Sequence, residues 1–309
     1  TIIIKMFKRI SDPAFDMDAP VYKDESIRDY QYYSYDARVP DERGRIELQV
    51  QDTSRYFLPA EAFIEVEGEI IKADNTEYGA GVRVGFVNNG IMALFDIDTY
   101  MIDGKNIESI QNDVDVATTI LGLARYSDDY TKSARLSMMF AKDRTNYPEN
   151  INMVMNAGGT EVASMNANFN LGFATCKSML KDGRRFSCAI PLSHIFEFCR
   201  NVRKVIFGAK HTVVRKGDDN NALWRPAGDA GKVVLTKHSL WMPVMTRTIP
   251  EEERLLSFGS QGGKSTLSWL TMTTDVITSN IIGLFTWHIA SQQGVSAPQH
   301  IFIAFQNAA

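Results

Sequence analysis

Cysteine is scarce in this sequence. Its 309 residues include three cysteines, Cys176, Cys188 and Cys199. A small, odd number of unevenly spaced cysteines provides no disulfide framework and is typical of a reducing compartment. None of them has the CxxC spacing of a structural zinc ligand. The sequence therefore predicts neither disulfides nor a metal centre built on cysteine.

Long apolar runs and positive charge are also in short supply. No apolar stretch approaches the ~20 residues that a membrane span needs, and the opening Thr1–Ile4 is too short for a signal-peptide core. The net charge of −4 argues against a protein that coats nucleic acid through a strongly basic surface. Short basic patches at 5–9 and 200–204 leave a local nucleic-acid contact open. Because the chain begins with Thr rather than Met, we expect a processed or partial product.

The composition is that of an ordinary globular protein. Hydrophobic residues make up 44% and charged residues 23% of the chain, which is enough apolar material for a sizeable core. At 309 residues, the length favours two domains, or one large sandwich with part of a second.

Strand-like patterns run through most of the chain. Apolar and polar residues alternate strictly in Arg45–Val50 and again in Ala62–Ile71, which predicts strands with one wet face. Asp103–Gly104 is a strong hairpin signal. The residues of the second run predicted to be buried are Phe63, Ile64, Val66 and Ile70. Strands of this kind suit a sandwich of two sheets that bury their inner faces against each other.

Two further strand-like runs lie on either side of a polar loop. Lys210–Arg215 and Lys232–Met242 are β-branched or aromatic where they are apolar, and Gly, Asp and Asn fill the loop at 216–222. We predict that the two runs form a long antiparallel pair. After a charged break at Ile249–Arg254, a further strand series is predicted at Ser265–Ile277, Ile281–Ser291 and His300–Gln306.

Helical periods interrupt the strands. Between Asn112 and Met139, apolar residues recur every three or four positions, which predicts a helix that Asp113 or Asp115 could cap. A short helix is predicted at Leu192–Cys199. Residues 143–180, rich in Asn, Gly, Ser and Met, are expected to form a long excursion. The fold class that the sequence predicts is therefore all-β, with helical insertions.

The chemical motifs are weak. Gly259–Thr266 resembles a phosphate-binding loop, but its spacing fails by one residue and β-branched residues follow where a helix should begin. The five histidines are scattered without metal-ligand spacing, and a satisfied strand histidine is the preferred interpretation of His238. Asp96, Asp98 and Asp103 are explained by turn chemistry rather than by a bound cation. The sequence predicts no catalytic residue, no cofactor and no metal.

An unusual run of tyrosines is the strongest candidate for a functional surface. Four tyrosines fall between residues 30 and 35. Each offers a large apolar ring with a polar tip, so the run suits either a subunit interface or a strand that seals one end of the sandwich. The candidate interface residues are Tyr30, Tyr32, Tyr33, Tyr35, Trp224 and Phe169.

Several segments together resemble one known family, the double jelly-roll capsid proteins of Polinton or Maverick elements and adintoviruses. The segments, in chain order, are Tyr30–Tyr35, Arg45–Val50, Leu58–Gly68, Gly85–Phe95, Ile190–Cys199, Asp219–Ala222, Ser239–Pro243 and His300–Gln306. The likeness covers most of residues 26–309.

The resemblance implies a virion shell protein without cofactor or catalysis, made of two upright jelly rolls and assembled from homotrimers into a larger shell. The prolines and alternating charges of residues 1–20 predict an N-terminal arm, and the charged break at 249–254 predicts a domain boundary. With the resemblance, this gives a first jelly roll with helical insertions at 21–250 and the start of a second jelly roll at 251–309. The family's second roll would continue well past Gln306. The chain could lack those residues, another polypeptide could complete the roll, or the protein is a shorter relative.

Two other functions are weighed against this one. A jelly-roll binding module could recognise a glycan or a cell surface through its tyrosines and loops. A nucleotide-dependent enzyme acting through Lys264 is the least favoured. For a capsid protein the expected partners are copies of itself and minor or penton capsid proteins, and the expected location is the virion, assembled inside the host cell.

Overall fold

A computed structural model of the chain describes residues 26–37, 45–78, 84–142, 153–155, 161–163, 171–217, 222–224, 231–261, 267–275 and 300–304. The strands are β1 Ile27–Asp36, β2 Ile46–Val50, β3 Tyr56–Phe57, β4 Phe63–Lys72, β5 Gly85–Phe86, β6 Ile97–Ile102, β7 Lys105–Gln111, β8 Met153–Met155, β9 Glu161–Ala163, β10 Arg185–Pro191, β11 Ile206–Phe207, β12 His211–Lys216, β13 Leu223–Trp224 and β14 Gly231–Arg247. The helices are α1 Val114–Arg125, α2 Asp128–Lys132, α3 Leu171–Ser178, α4 Leu192–Ile195, α5 Glu197–Asn201 and α6 Ile249–Ser260.

The chain separates into two compact units. One contains residues 1–30 and 246–264, and the other contains residues 31–245 and 265–309. In the first unit, α6 carries Glu251 and Glu252 in its first turn. Carboxylates at this position interact favourably with the helix dipole. Arg254 donates two hydrogen bonds to Glu251, of 2.8 and 2.6 Å.

The strand order identifies the fold of the second unit. In one sheet β1 pairs with β14, which pairs with β4, which pairs with β10; in the other the order is β2-β12-β6-β7. Successive long strands thus alternate between the sheets except at the β6–β7 hairpin. Eight strands wound in this order form a jelly roll. Helices α1 to α3 lie between β7 and β10, and α4 and α5 lie between β10 and β12. The predicted jelly-roll sandwich with helical insertions is confirmed.

The predicted pairing of β12 with β14 is wrong. Val213 of β12 lies opposite Leu48 of β2 on one side and Tyr100 of β6 on the other, so both edges of β12 are taken. β14 pairs with β4 and β1 in the opposite sheet. The chain therefore passes from β12 through β13 to a strand of the opposite sheet, rather than to a neighbouring strand of the same sheet. Alternation predicts that each run is a strand but carries no information on its partner.

The predicted turn at Asp103–Gly104 and the predicted helix after Asn112 are both present. The β6–β7 hairpin turns at Asp103 and Gly104, whose φ angles of 50° and 76° are both positive, as a two-residue turn of this kind requires. Helix α1 is present, but the side chain of its N-cap residue Asp113 makes no capping hydrogen bond.

Two predicted elements differ in the structure. The short helix predicted at Leu192–Cys199 is two helices, because Phe196 is extended (φ −108°, ψ 126°) and fully buried. The predicted late strands are absent at residues 267–275 and 300–304; the rest of that series lies outside the described residues. The domain boundaries at 20 and 250 stay predictions.

The core fills the space between the two sheets. Inward-facing residues of the four-stranded sheet include Leu48 and Val213, and those of the other sheet include Ile64 and Leu240, each 0% exposed. Contacts between rings also join the sheets. Phe57 of β3 packs edge-on against His211 of β12, with ring centroids 5.2 Å apart.

A charged pair lies within this apolar core. Asp98 and Arg215 are opposite each other in the β6–β12 register, and both side chains are 0% exposed. Arg215 donates from Nε to Asp98 Oδ1 at 2.7 Å and from Nη2 to Oδ2 at 3.0 Å. The guanidinium carbon also lies 3.6 Å from the centre of the Phe95 ring. The assignment of Asp98 to turn chemistry was therefore wrong.

Removing one member of this pair is expected to be severe. Asp98→Ala leaves an uncompensated buried guanidinium and should lower the free energy of unfolding by about 3–5 kcal/mol. The double variant Asp98→Leu with Arg215→Met removes both charges at similar volume and should recover most of that loss. Denaturant unfolding of the three proteins measures this. A double variant as unstable as Asp98→Ala would contradict the electrostatic explanation.

Candidate subunit interface

The structure separates the predicted interface residues. Tyr30, Tyr32 and Tyr33 of β1 are exposed, by 38%, 40% and 38% respectively, whereas Tyr35 is half-buried and packs against the core. Trp224 belongs to β13, which pairs with β5. Phe169 lies outside the described residues. The tyrosine run is thus neither wholly a surface nor wholly a seal for the sandwich.

The structure adds two aromatic side chains to Tyr32. The Tyr32 and Phe63 rings have centroids 5.7 Å apart, and Phe63 stacks on Trp241 at 6.0 Å with 9° between the ring planes. Phe63 and Trp241 are opposite each other in the β4–β14 register. We call Tyr32, Phe63 and Trp241 the outer aromatic strip.

The direction of Phe63 corrects a prediction. Ile64, Val66 and Ile70 are buried as predicted, but Phe63 is only half-buried. Successive side chains of a strand point to opposite faces, so Phe63 and Ile64 cannot both point into the core. Strict use of that rule would have placed Phe63 on the outer face. Its pairing with Trp241 had no signal in the sequence.

Polar contacts hold Trp241 in place. Trp241 Nε1 donates to Glu65 Oε2 at 2.7 Å, and Lys237 Nζ lies 2.8 Å from the same oxygen. Burial acts to raise the pKa of Glu65, but the hydrogen bonds from Lys237 and Trp241 outweigh it and hold the pKa below its ordinary value. Since the indole N–H is bonded within the sheet, the Trp241 ring has a fixed orientation.

A shallow groove of about 210 Å³ adjoins the strip. Its lining residues are Ala60, Glu61, Ala62, Phe63, Ser137, Ala189 and Pro191. The volume is below the roughly 300–1,000 Å³ of typical small-molecule sites. A groove of this size suits one or two side chains of another protein.

Two further aromatic contacts involve strands β1, β3 and β11 of the same sheet. The Arg55 guanidinium lies 4.5 Å from the centre of the Tyr33 ring and forms an ion pair with Asp52 at 2.6 Å. Phe207, 57% exposed, packs on Tyr56 with centroids 4.4 Å apart. Aromatic residues and Arg are enriched in protein interfaces.

A buried polar network fixes helix α1 against the sandwich. Asn89 Nδ2 donates to Thr118 Oγ1 at 2.9 Å, so its Oδ1 is the acceptor that lies 3.3 Å from His194 Nε2. His194 Nε2–H therefore donates to Asn89, and His194 Nδ1 accepts from the Tyr126 hydroxyl at 2.8 Å. Burial, with Arg135 and Arg200 nearby, lowers the pKa of His194 to about 3. The imidazole is neutral.

His211 and His238, which lie in strands, are buried as well. His211 Nδ1 is 2.6 Å from the Tyr100 hydroxyl, and burial lowers the pKa of His211 to about 4. Burial also lowers the pKa of His238 well below its usual value. Among the described residues, neither ring nitrogen of His238 has a hydrogen-bond partner. The prediction that His238 is a strand histidine with its hydrogen bonds made is therefore wrong.

The Cys199 thiol is fully buried. Burial raises the pKa of the Cys199 thiol well above its usual value, which disfavours the reactive thiolate. Within the described ranges, no three or more His, Cys, Asp or Glu side chains are grouped to hold a metal ion. No helix in the part of the chain that the structure describes is long and apolar enough to cross a membrane.

Comparison with known proteins gives matches in structure only. No protein-family model and no curated protein matches the chain. The structure of the Sputnik virophage matches with a TM-score of 0.46 and 12% identity, over 78% of this chain and 52% of that chain.

Two more matches carry the name of the major capsid protein. The Faustovirus major capsid protein matches with a TM-score of 0.43 and 10% identity, over 76% of this chain and 57% of that chain. For the mavirus major capsid protein the TM-score is 0.38 and the identity 11%, over 80% and 54% of the two chains. The chain spans about half the length of the solved chains it matches.

The buried neutral histidines predict acid sensitivity. Their pKa values are lowered in the folded state, so below about pH 6.5 the unfolded chain binds protons that the folded chain does not. The free energy of unfolding therefore decreases as the pH is lowered. His194 should contribute about 2–3 kcal/mol to this loss by pH 4.5. The pKa of Glu108 is raised to about 7, so its contribution to stability increases as the pH falls from about 7 to 4.5. The combined loss from the three histidines is larger than this gain.

Urea unfolding between pH 7.5 and 4.5 measures this dependence. Replacement of His194 by Gln, which keeps a hydrogen-bonding side chain but cannot titrate, should reduce the loss. His300→Gln, at an exposed position, is the matched control and should leave the loss unchanged. A wild-type stability that is the same at both pH values would contradict the prediction.

Proposed function

We propose that this protein is a structural capsid protein of a virus or virus-like element, and that it assembles with copies of itself into a shell. Two features support the proposal. The strand order is that of a jelly roll, a fold that viral capsid domains use. The sequence also resembles double jelly-roll capsid proteins over most of its length.

The observation that carries the proposal is the outer aromatic strip. Tyr32, Phe63 and Trp241 present rings side by side on the outer face of a sheet, and Glu65 fixes the Trp241 ring. Tyr and Trp dominate the binding energy of many protein interfaces, typically by about 2 kcal/mol or more for each central residue. Rings that are already ordered lose little conformational entropy when they are covered.

The charges around the strip favour a second copy as the partner. Glu65, Glu67 and Glu69 of β4 alternate with the inward-facing residues. The neighbouring strands supply cations: Lys237 pairs with Glu65 at 2.8 Å and Arg185 lies 4.0 Å from Glu69. A face that mixes both signs can be complementary to another copy of the same face or to a neighbouring face of the same chain.

The finer statements follow from the sequence resemblance. We propose homotrimeric capsomers, in which each copy contacts the next by a closed, rotationally related interface. We also propose a Polinton-like or adintovirus-like origin, location in the virion after assembly inside the host cell, and contacts with minor or penton capsid proteins. A nucleic-acid contact, if present, would not use a strongly basic surface.

Sedimentation velocity over a range of concentrations tests the proposal. The wild-type chain should form trimers and larger species at micromolar concentration. Tyr32→Ser removes one ring of the strip and should weaken assembly by about tenfold or more. Leu123→Ser, at a 48% exposed position on α1, is the control and should assemble as the wild type does.

The outcomes separate the function from the site. A wild-type chain that stays monomeric at every concentration would overturn the shell function. If Tyr32→Ser assembles as well as the wild type, the function stands but the strip is not the interface. A wild-type monomer that binds a glycan on an array would support the binding-module alternative.

A further inference from the structure

Residues 267–275 form a second feature of interest, an irregular segment that we call the strap. It contacts β7, the last strand of the four-stranded sheet. Thr274 Oγ1 donates to the Gln111 carbonyl at the end of β7. Trp269 packs edge-on against Phe198 of α5, with centroids 5.1 Å apart and 89° between the ring planes. Leu267, Trp269 and Met272 pack against the core. The strap thus contacts both β7 and α5.

One carboxylate ties the strap to the sandwich. Glu108 of β7 is 3% exposed, and its Oε1 accepts from the backbone N–H of Met272 at 3.1 Å and of Glu197 at 3.1 Å. Its Oε2 accepts from the backbone N–H of Phe198 at 2.8 Å. A single buried side chain therefore joins β7, the start of α5 and the strap.

Two opposing effects determine whether Glu108 is ionised. Burial raises the pKa of Glu108 to about 7, although the N–H donors of Phe198, Met272 and Glu197 act in the opposite direction. If the strap left, water would reach the carboxylate. Water would remove the cost of burial and could replace the lost Met272 N–H donor, so the pKa would fall towards its ordinary value.

Other titratable groups around Glu108 do not obscure this balance. From β6, Tyr100 lies opposite Glu108 and is hydrogen-bonded to His211 of β12. From α5 come Cys199, which interacts electrostatically with Glu108, and Glu197, which is ion-paired with Arg125. The strap itself carries Asp275. The pKa of His211 is lowered to about 4, and burial raises the pKa of Tyr100 and of Cys199, so these three stay neutral between pH 6 and 8.

We propose that the strap is a pH-sensitive clamp, which docks on β7 more tightly when Glu108 is protonated and opens more readily when Glu108 is ionised. Docking buries the Glu108 carboxyl group and raises its pKa, so docking is accompanied by uptake of a proton. The clamp would hold residues 267–275 on β7 at acidic pH and release them more readily above neutrality. This inference does not depend on the capsid function.

Hydrogen exchange of the full chain, followed by mass spectrometry and corrected for the intrinsic pH dependence of exchange, tests the clamp. For linkage to one proton, protection of residues 267–275 should be about tenfold higher at pH 6 than at pH 8. Glu108→Gln should make protection independent of pH. Glu67→Gln, on the outer face of β4, should keep the tenfold change. Wild-type protection that does not vary with pH, or a tenfold change that persists in Glu108→Gln, would overturn the proposal.

A second measurement decides the matter if Glu108→Gln does not fold. Carbon-13 NMR of the wild-type chain follows the titration of glutamate carboxyl groups directly. Protection of the strap should fall with rising pH and level off above the pH at which a buried glutamate titrates, near neutrality. If no glutamate titrates within about one unit of the pH at which protection levels off, Glu108 does not control the strap.

Discussion

The buried ion pair between Arg215 and Asp98 is the constraint on which the sandwich depends. Both side chains are fully buried, and a buried charge without its partner is one of the costliest defects in a protein interior. A shift of one residue between β12 and β6 would turn Arg215 to the other face of the sheet. The pair therefore specifies one register for the two central strands.

The rest of the sandwich follows from that register. When Arg215 points inward, so do Val213 and His211, and they meet the inward-facing residues of β2 and β6. The opposite sheet then turns Ile64 inward and Phe63 outward, which leaves Phe63 beside Trp241 on the outer face. The same alternation that fills the core thus creates the aromatic surface to which we assign self-assembly.

Much of the fold was predictable because its signals are local. Alternation in Arg45–Val50 marks β2, positive φ angles at Asp103 and Gly104 suit a two-residue turn, and the helical period marks α1. Strand pairing was not predictable in this way. β12 selects β2 and β6 through contacts between residues distant in the sequence, and the pattern of β12 is equally compatible with β14 as a neighbour.

The site was predictable only in part, for a similar reason. The tyrosine run marks an exposed strand, but neither Phe63 nor Trp241 stands out until β4 and β14 are paired. Asp98 looked like a turn residue because three aspartates lie close together in sequence, and only the fold brings Arg215 to it. The strap had the composition of a strand, yet it lies as an irregular segment across β7 because side chains rather than a backbone ladder hold it.

β12 and β14 lie in opposite sheets, and the buried Arg215–Asp98 pair lies in the sheet of β12. Cross-strand nuclear Overhauser effects in deuterated, isotopically labelled protein test it most directly. The structure predicts backbone contacts from Val213 to both Leu48 and Tyr100, and from Leu240 to Ile64. A continuous ladder of backbone contacts between residues 210–215 and 232–242 would contradict the account.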